Sequence, residues 1–192
     1  MDLFLASESP RRRELLGRIV KAFRQESAAV CEVTATDGIT PLQAAQLNAA
    51  MKAQAVAQQH PESLVIGADT IVVMDGKLYG KPSDLAEAFR FLQSFSGRTH
   101  SVITAVALRC SCKALEDDFY AESQVKFHAC SAEDINRYLS LVPVLDKAGA
   151  YGIQEYGEIL VESFSGELEN IIGLPIRLLR RHLEQTGYNG LL

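Results

Sequence analysis

The stretch Leu64-Val65-Ile66-Gly67-Ala68-Asp69-Thr70-Ile71-Val72-Val73-Met74, with Asp75-Gly76 and the short return Lys77 to Gly80 behind it, decides the fold class. Its apolar, β-branched run has the pattern of a strand buried on both faces. Asp-Gly between two strand-like segments is a hairpin signal, so some antiparallel pairing is required. Outward from this run, strands alternate with helices. Leu3 to Ala6 reads as a short buried strand, and Ser9-Pro10 opens a helix with Ser as N-cap and Pro at its first position. Thr40-Pro41-Leu42-Gln43 carries a capping box and begins an Ala-rich helix that ends near Gln59. From Ser83 to about Phe95, the residues Leu85, Ala88, Phe89, Leu92 and Phe95 recur at helical spacing. Thr99 to Leu108, Gln124 to Ala129 and Ile159 to Phe164 read as strands. Further helices open at Ser131 and Pro175, the last closing near Gln185. The expected class is α/β with a mixed sheet.

Within the deciding run, Asp69 is anomalous. An ionised carboxylate in a buried strand is costly unless it is hydrogen-bonded, paired with a cation or bound to metal. Strand alternation puts Gly67, Asp69 and Ile71 on one face, and the missing side chain of Gly67 is expected to leave space beside the acid. Asp69 therefore reads as a metal ligand or general base, with a structural Asp bonded to nearby backbone as the alternative.

Charge narrows the choice of ligand. The 192 residues include 19 Lys+Arg and 24 Asp+Glu, a net charge of −5. That balance speaks against a sequence-independent grip on DNA or RNA, which needs a broad basic surface. It leaves room for a small anion in a local basic pocket. The length suits one domain or two small lobes around one cleft, and a chain of this size buries about 70% of its unfolded surface without a disulfide or metal staple.

Three arginines, Arg11, Arg12 and Arg13, fall in the first turn of a helix, where the macrodipole disfavours cations. An anion at that turn would offset the cost, held by backbone N–H groups, the Ser7 and Ser9 hydroxyls and the Arg11 and Arg12 guanidiniums. A turn of solvated arginines is the alternative. Lys81, fixed between Gly80 and Pro82, is placed either to reach phosphate or to face solvent. Lys52 in the Ala-rich helix and Glu32 beside Cys31 carry no local distinction. The loop Asp146-Lys147-Ala148-Gly149-Ala150-Tyr151-Gly152-Ile153-Gln154 has two glycines that permit close approach, and Gln154 has the donor and acceptor needed to read a nucleobase edge.

The four cysteines form no Cys-x-x-Cys pair, and Cys110-Ser111-Cys112 reads as reduced thiols in preference to a metal pair. The N-terminus has no basic region followed by a long apolar one, and no apolar run approaches the ~18 residues of a spanning helix. The expectation is a cytoplasmic protein without a membrane segment. No G-x-S-x-G element supports a serine hydrolase.

Taken in order, several segments resemble the Maf family of nucleoside triphosphate pyrophosphatases. They are Leu5 to Leu16, Ile66 to Thr70, Gly80-Lys81-Pro82, Ser96 to His100, Asp146 to Gln154 and Ile172 to Pro175. Together they span nearly the whole chain. The resemblance implies one Maf-like domain over residues 1–192, with an elongated mixed β-sheet, flanking helices and two lobes around one cleft, similar to inosine triphosphatases. It implies a homodimer, and hydrolysis of a nucleoside triphosphate at the α-phosphate to monophosphate and pyrophosphate. Asp69 would be the proton acceptor. Arg11, Thr70 and Gln154 match positions linked to substrate choice. Ser7, Arg12, Glu32, Lys52 and Lys81 match further active-site positions, with Glu32 and Asp69 as contacts of a divalent cation, Mg²⁺ or Mn²⁺. The Gly-Ile-Gln ending looks like the branch acting on dTTP and UTP. Two rivals remain at this level: a non-catalytic nucleotide-binding regulator, and a phosphatase releasing orthophosphate stepwise. Cys110 to Glu122 has no recognised counterpart, and Ser165 to Asn170 carries acids where aromatic residues are common in the family.

Overall fold

The computed structural model describes residues 2–35 and 38–192. Thirteen helices and strands are named here: β1 Leu3–Ala6, α1 Pro10–Gly17, β2 Arg24–Glu26, α2 Pro41–Gln59, β3 Leu64–Met74, β4 Lys77–Tyr79, α3 Leu85–Phe95, β5 Thr99–Cys110, β6 Leu115–Phe127, α4 Ala132–Leu141, β7 Val161–Ser165, α5 Leu168–Ile172 and α6 Ile176–Gln185. The strand order is β2-β1-β3-β5-β6-β7, with β4 paired to β3. The mixed sheet with flanking helices expected from the sequence is present.

Two compact units divide the chain, with boundaries inside β3, β5 and β6. The first comprises Met1–Asp69, Thr104–Ala121 and Gly173–Leu192. Here β1 runs parallel to both β2 and β3, with Leu5 opposite Gln25 and Ile66. Parallel neighbours need crossovers, and α1 and α2 supply them. Both helices start as the sequence dictates. Ser9 caps α1 by accepting from the Arg12 N–H, and Thr40 and Gln43 close a full capping box on α2. Leu3, Leu5, Leu15, Leu16, Leu64 and Ile66 are all at most 2% exposed and give this unit its apolar interior.

The second unit comprises Thr70–Ile103 and Glu122–Ile172. Its hairpin pairs Val72 with Tyr79 and Met74 with Lys77. Asp75 and Gly76 both have positive φ, +52° and +75°, as the primed two-residue turn of a hairpin requires. The end of β6 pairs antiparallel with β7. Phe95, Phe127, Tyr138, Leu92 and Leu160 anchor a core in which Phe95 and Phe127 meet edge to face.

Several boundaries differ from the sequence reading. Strand β6 begins at Leu115 instead of Gln124, because its acidic first half hides the apolar pattern. Asp118 there holds the buried Arg109 guanidinium through two bonds, at 2.6 and 2.9 Å, and Asp117 bonds His182 at 2.8 Å. Helix α3 starts at Leu85 with Asp84, two positions later than expected, accepting from the Glu87 N–H as N-cap. The short β2, all polar, and α5 gave no periodic signal. Among the described residues no helix is long and apolar enough to cross a membrane.

Candidate active site

In the first unit, helix α2 lies against β3 at Gly67. A Cβ built on Gly67 would sit 2.2 Å from the Ala49 carbonyl oxygen and 2.7 Å from the Ala53 nitrogen. The space expected beside Asp69 is therefore filled by helix backbone. Gly67 seats the helix and opens no room for a ligand, which corrects the sequence reading.

Two residues further along the same strand face, Asp69 meets the polar pair of that helix. Lys52 Nζ donates to Asp69 Oδ1 at 2.7 Å, and Asn48 Nδ2 donates to Oδ2 at 3.3 Å. Asn48 and Lys52 are one turn apart, as are Ala49 and Ala53, so adjacent stripes of one helix serve the acid and the glycine. Asn48 also donates to the Val33 carbonyl at 3.0 Å and accepts from the Val33 N–H at 2.7 Å, which pins the segment carrying Glu32. Glu32 Oε1 then reaches Lys52 Nζ at 2.7 Å. One ammonium thus bridges two carboxylates. The Lys52 and Asp69 side chains are each 12% exposed, and that of Glu32 is 52% exposed. Local sequence gave Lys52 no distinction. Its burial comes from the close helix–strand approach.

The arginine turn joins the same unit. Ser7 Oγ accepts from the Ser9 N–H at 3.2 Å and from Arg12 Nη1 at 3.3 Å. Arg12 Nε donates to the Gly173 carbonyl at 2.9 Å, which fixes the guanidinium plane. Burial works against its charge most strongly, Arg11 adds to that effect, and Asp69 and Glu32 oppose it. Arg12 thus lies within electrostatic reach of both carboxylates. Ser7, Arg12, Glu32, Lys52 and Asp69 form one constellation, with Arg11 half-buried at its edge and Arg13 exposed.

Lys81, Thr70 and Gln154 belong to the second unit. Lys81 is exposed, and the preceding Gly80 carbonyl accepts from the Gly149 N–H at 3.0 Å, tying its turn to the Asp146–Gln154 loop. Gly149 has φ +70°, and a Cβ there would lie 2.8 Å from Val72 Cγ2. The Tyr138 hydroxyl accepts from the Gly152 N–H at 2.9 Å and donates to the Gly152 carbonyl at 3.3 Å. Lys147, 4% exposed, donates to the Pro143 carbonyl and pairs with Asp146 at 3.1 Å and Glu155 at 3.3 Å. Gln154 projects, exposed, from a turn closed by the Glu155 N–H on the Gly152 carbonyl at 3.1 Å. Thr70 is half-buried on β3.

Asn48, Tyr138 and Lys147 were not among the expected site residues. Asn48 could have been found as the polar residue one turn before Lys52 in an Ala-rich helix. Tyr138 reads as one more apolar position of α4, and nothing in sequence marks its hydroxyl.

Among the described residues no group of three or more His, Cys, Asp or Glu converges as a metal cage. The pair Glu32 and Asp69 does converge, on the Lys52 ammonium, so a cation already stands between their oxygens. Hard oxygen donors in that number suit Mg²⁺ or Mn²⁺, which use one or two carboxylates with substrate phosphates completing the shell.

A family model described as Maf-like protein matches residues 2–186. The chain belongs to the Maf family. Among its curated Maf relatives, a protein of Akkermansia muciniphila named dTTP/UTP pyrophosphatase is 42% identical over 189 residues, covering 97% of each chain. Proteins of the same name from Bacillus cytotoxicus and Clostridioides difficile are 44% and 43% identical, over 94% and 93% of this chain and 93% and 92% of their own. Of solved structures, the Staphylococcus aureus Ham1 protein matches with a TM-score of 0.58 over 97% of this chain and 100% of its own. Its 17% identity makes this a likeness of fold alone. The Cys110 to Glu122 segment, for which the sequence reading finds no counterpart, lies inside the span the Maf model matches, and forms the end of β5, a turn and the first half of β6.

Proposed function

We propose that the chain hydrolyses dTTP and UTP, and modified pyrimidine forms of them, at the α-phosphate to give the nucleoside monophosphate and pyrophosphate. The observation that carries this reading is the Asp69 carboxylate, held by Lys52 and Asn48 with Glu32 on the same ammonium. The reading also rests on the names of the relatives that match across the chain.

Asp69 accepts the proton of the attacking water. Its own orientation is set by two donors, one on each oxygen. Lys52, Arg12, Arg11 and Lys81 offset the triphosphate charge and the charge that grows on the pyrophosphate leaving group. Arg12 does this from a fixed plane, because Ser7 and Gly173 already hold it. Glu32 and Asp69 would hold a Mg²⁺ or Mn²⁺ ion, which supplies neutralisation of phosphate oxygens and acidification of water when bound. Gln154 and Thr70 read the nucleotide, the amide pairing with a pyrimidine edge through its donor and its acceptor. A free nucleotide in the cytoplasm is the natural substrate of such a site, and the working form is taken as a homodimer.

The test is a nucleotide panel with Mg²⁺ or Mn²⁺, assayed for both phosphate products. Pyrophosphate from dTTP and UTP is the expected result. Orthophosphate as sole product would favour a phosphatase, and binding without turnover would favour a regulator; either overturns the proposal.

A further inference from the structure

The turn between β5 and β6 places two thiols together. Cys110, the last residue of β5, is 1% exposed, and its Sγ lies 3.6 Å from that of Cys112. Cys112 is exposed on a one-turn 3₁₀ helix, Ser111–Lys113. That turn is anchored in the first unit. Ser111 Oγ donates to the Ala57 carbonyl at 3.1 Å, and the Cys112 N–H donates to the Pro61 carbonyl at 2.8 Å. Ala114, next along, has φ +49° and ends the turn. The other two thiols, Cys31 and Cys130, appear in no sulfur–sulfur contact among the described residues.

We propose that Cys110 and Cys112 are a redox-active dithiol that takes a low-molecular-weight disulfide of the glutathione class as its oxidant. The exposed Cys112 thiolate attacks one sulfur of that disulfide, forming a mixed disulfide and expelling one small thiolate, which takes up a proton. The Cys110 thiolate, its proton passed to solvent, then attacks Cys112 Sγ and expels the second small thiolate. The protein loses two electrons and two protons, and the small disulfide becomes two thiols.

Geometry favours the second step over release of the adduct. A disulfide bond is about 2.05 Å long, so closing the 3.6 Å contact takes about 1.5 Å of side-chain motion. The attacking thiol is already beside its target, which makes the closure effectively unimolecular. The Cys110 contact chiefly raises the Cys112 pKa, with smaller contributions in the same direction from burial and Glu62, opposed by Lys113. That contact lowers the thiolate fraction of Cys112 available for the first step and holds Cys110 beside it for the second. Lys113, the last residue of the turn, places its Nζ 4.7 Å from the ring centroid of the buried Tyr188.

The experiment treats the full chain under native conditions with oxidised glutathione and counts free thiols against time. Two of the four thiols should disappear, with the chain losing the mass of two hydrogens. Trypsin cuts after Arg109 and Lys113, so the peptide Cys110-Ser111-Cys112-Lys113 should carry the internal disulfide. The Cys110→Ser variant should stop at a stable glutathione adduct on Cys112. Cys112→Ser, a change at an exposed position, should leave Cys110 unreacted. Persistence of the adduct on Cys112 in the unmodified chain would overturn the proposal, as would a disulfide between two chains, loss of Cys31 or Cys130 in place of the pair, or no reaction in the native state.

Discussion

The Asp69 cluster of the first unit and the Gln154 loop of the second solve opposite problems. In the first, ionised groups are packed between a strand and a helix, and each carboxylate oxygen of Asp69 has its own donor. In the second, the polar side chain of interest is exposed, and the buried groups Tyr138 and Lys147 tie down the chain around it. Charge is thus held by side chains on rigid elements, whereas the amide proposed to read the base is carried by a backbone whose ends are fixed. Groups that stabilise a transition state gain most from preorganisation.

The largest expected effect breaks the first side of this contrast. Asp69→Asn keeps the size and the Lys52 contact but removes the proton acceptor, and pyrophosphate release from dTTP should fall by about 10³-fold. Full activity in a folded variant would end the base assignment. Gly67→Ala leaves every polar group in place and attacks the spacing alone. The new Cβ meets helix backbone at 2.2 and 2.7 Å, so α2 must shift. We expect a loss of about 1–3 kcal/mol by urea melts, typical of overpacking. Turnover should drop about tenfold or more, since near 1.4 kcal/mol of misplacement is a factor of ten. Unchanged turnover would mean that the Lys52–Asp69 geometry does not matter to the reaction.

On the loop side the expected effects are smaller and of another kind. Tyr138→Phe removes both bonds to Gly152 and should raise KM for pyrimidine nucleotides about fivefold, the worth of roughly 1 kcal/mol, while kcat stays near its original value. An equal fall in kcat on every nucleotide would show that the loop serves the chemistry as well. The last prediction concerns stability only. His100 is buried beneath Tyr151, whose hydroxyl it meets at 2.8 Å, and burial lowers its pKa from 6.5 to about 4. Between those values the unfolded chain binds the proton and the folded chain does not. Folding stability is therefore full above about pH 6.5 and falls as the pH drops toward 4, by on the order of 3 kcal/mol in all. Urea melts across that window should show the slope, and His100→Gln should flatten it without changing turnover at neutral pH.

Much of the fold was legible because its signals are local. The caps at Ser9 and Thr40, the Asp-Gly turn and the run at Leu64 to Met74 each depend on neighbouring residues, and each stands where it was expected. The acidic half of β6 was hidden because its acids satisfy Arg109 and His182, partners that no sequence window contains. Asp69 was legible as an anomaly, a charge in an apolar strand. Lys52 was not, since its burial depends on how closely a helix more than ten residues away in sequence can approach, and the role of Asn48 depends on the same approach. Gly67 drew attention for the right reason, its missing side chain, and the wrong consequence was drawn from it.

That close approach also constrains how this sequence can drift. Residues 49, 53 and 67 meet at one contact, and a Cβ at 67 would strike the backbone of 49 and 53, which no smaller side chain on the helix can withdraw. The alanines of α2 then record the thickness of a joint more than a preference for helix, and a mutational library varied at one of these three positions at a time would find each of them frozen.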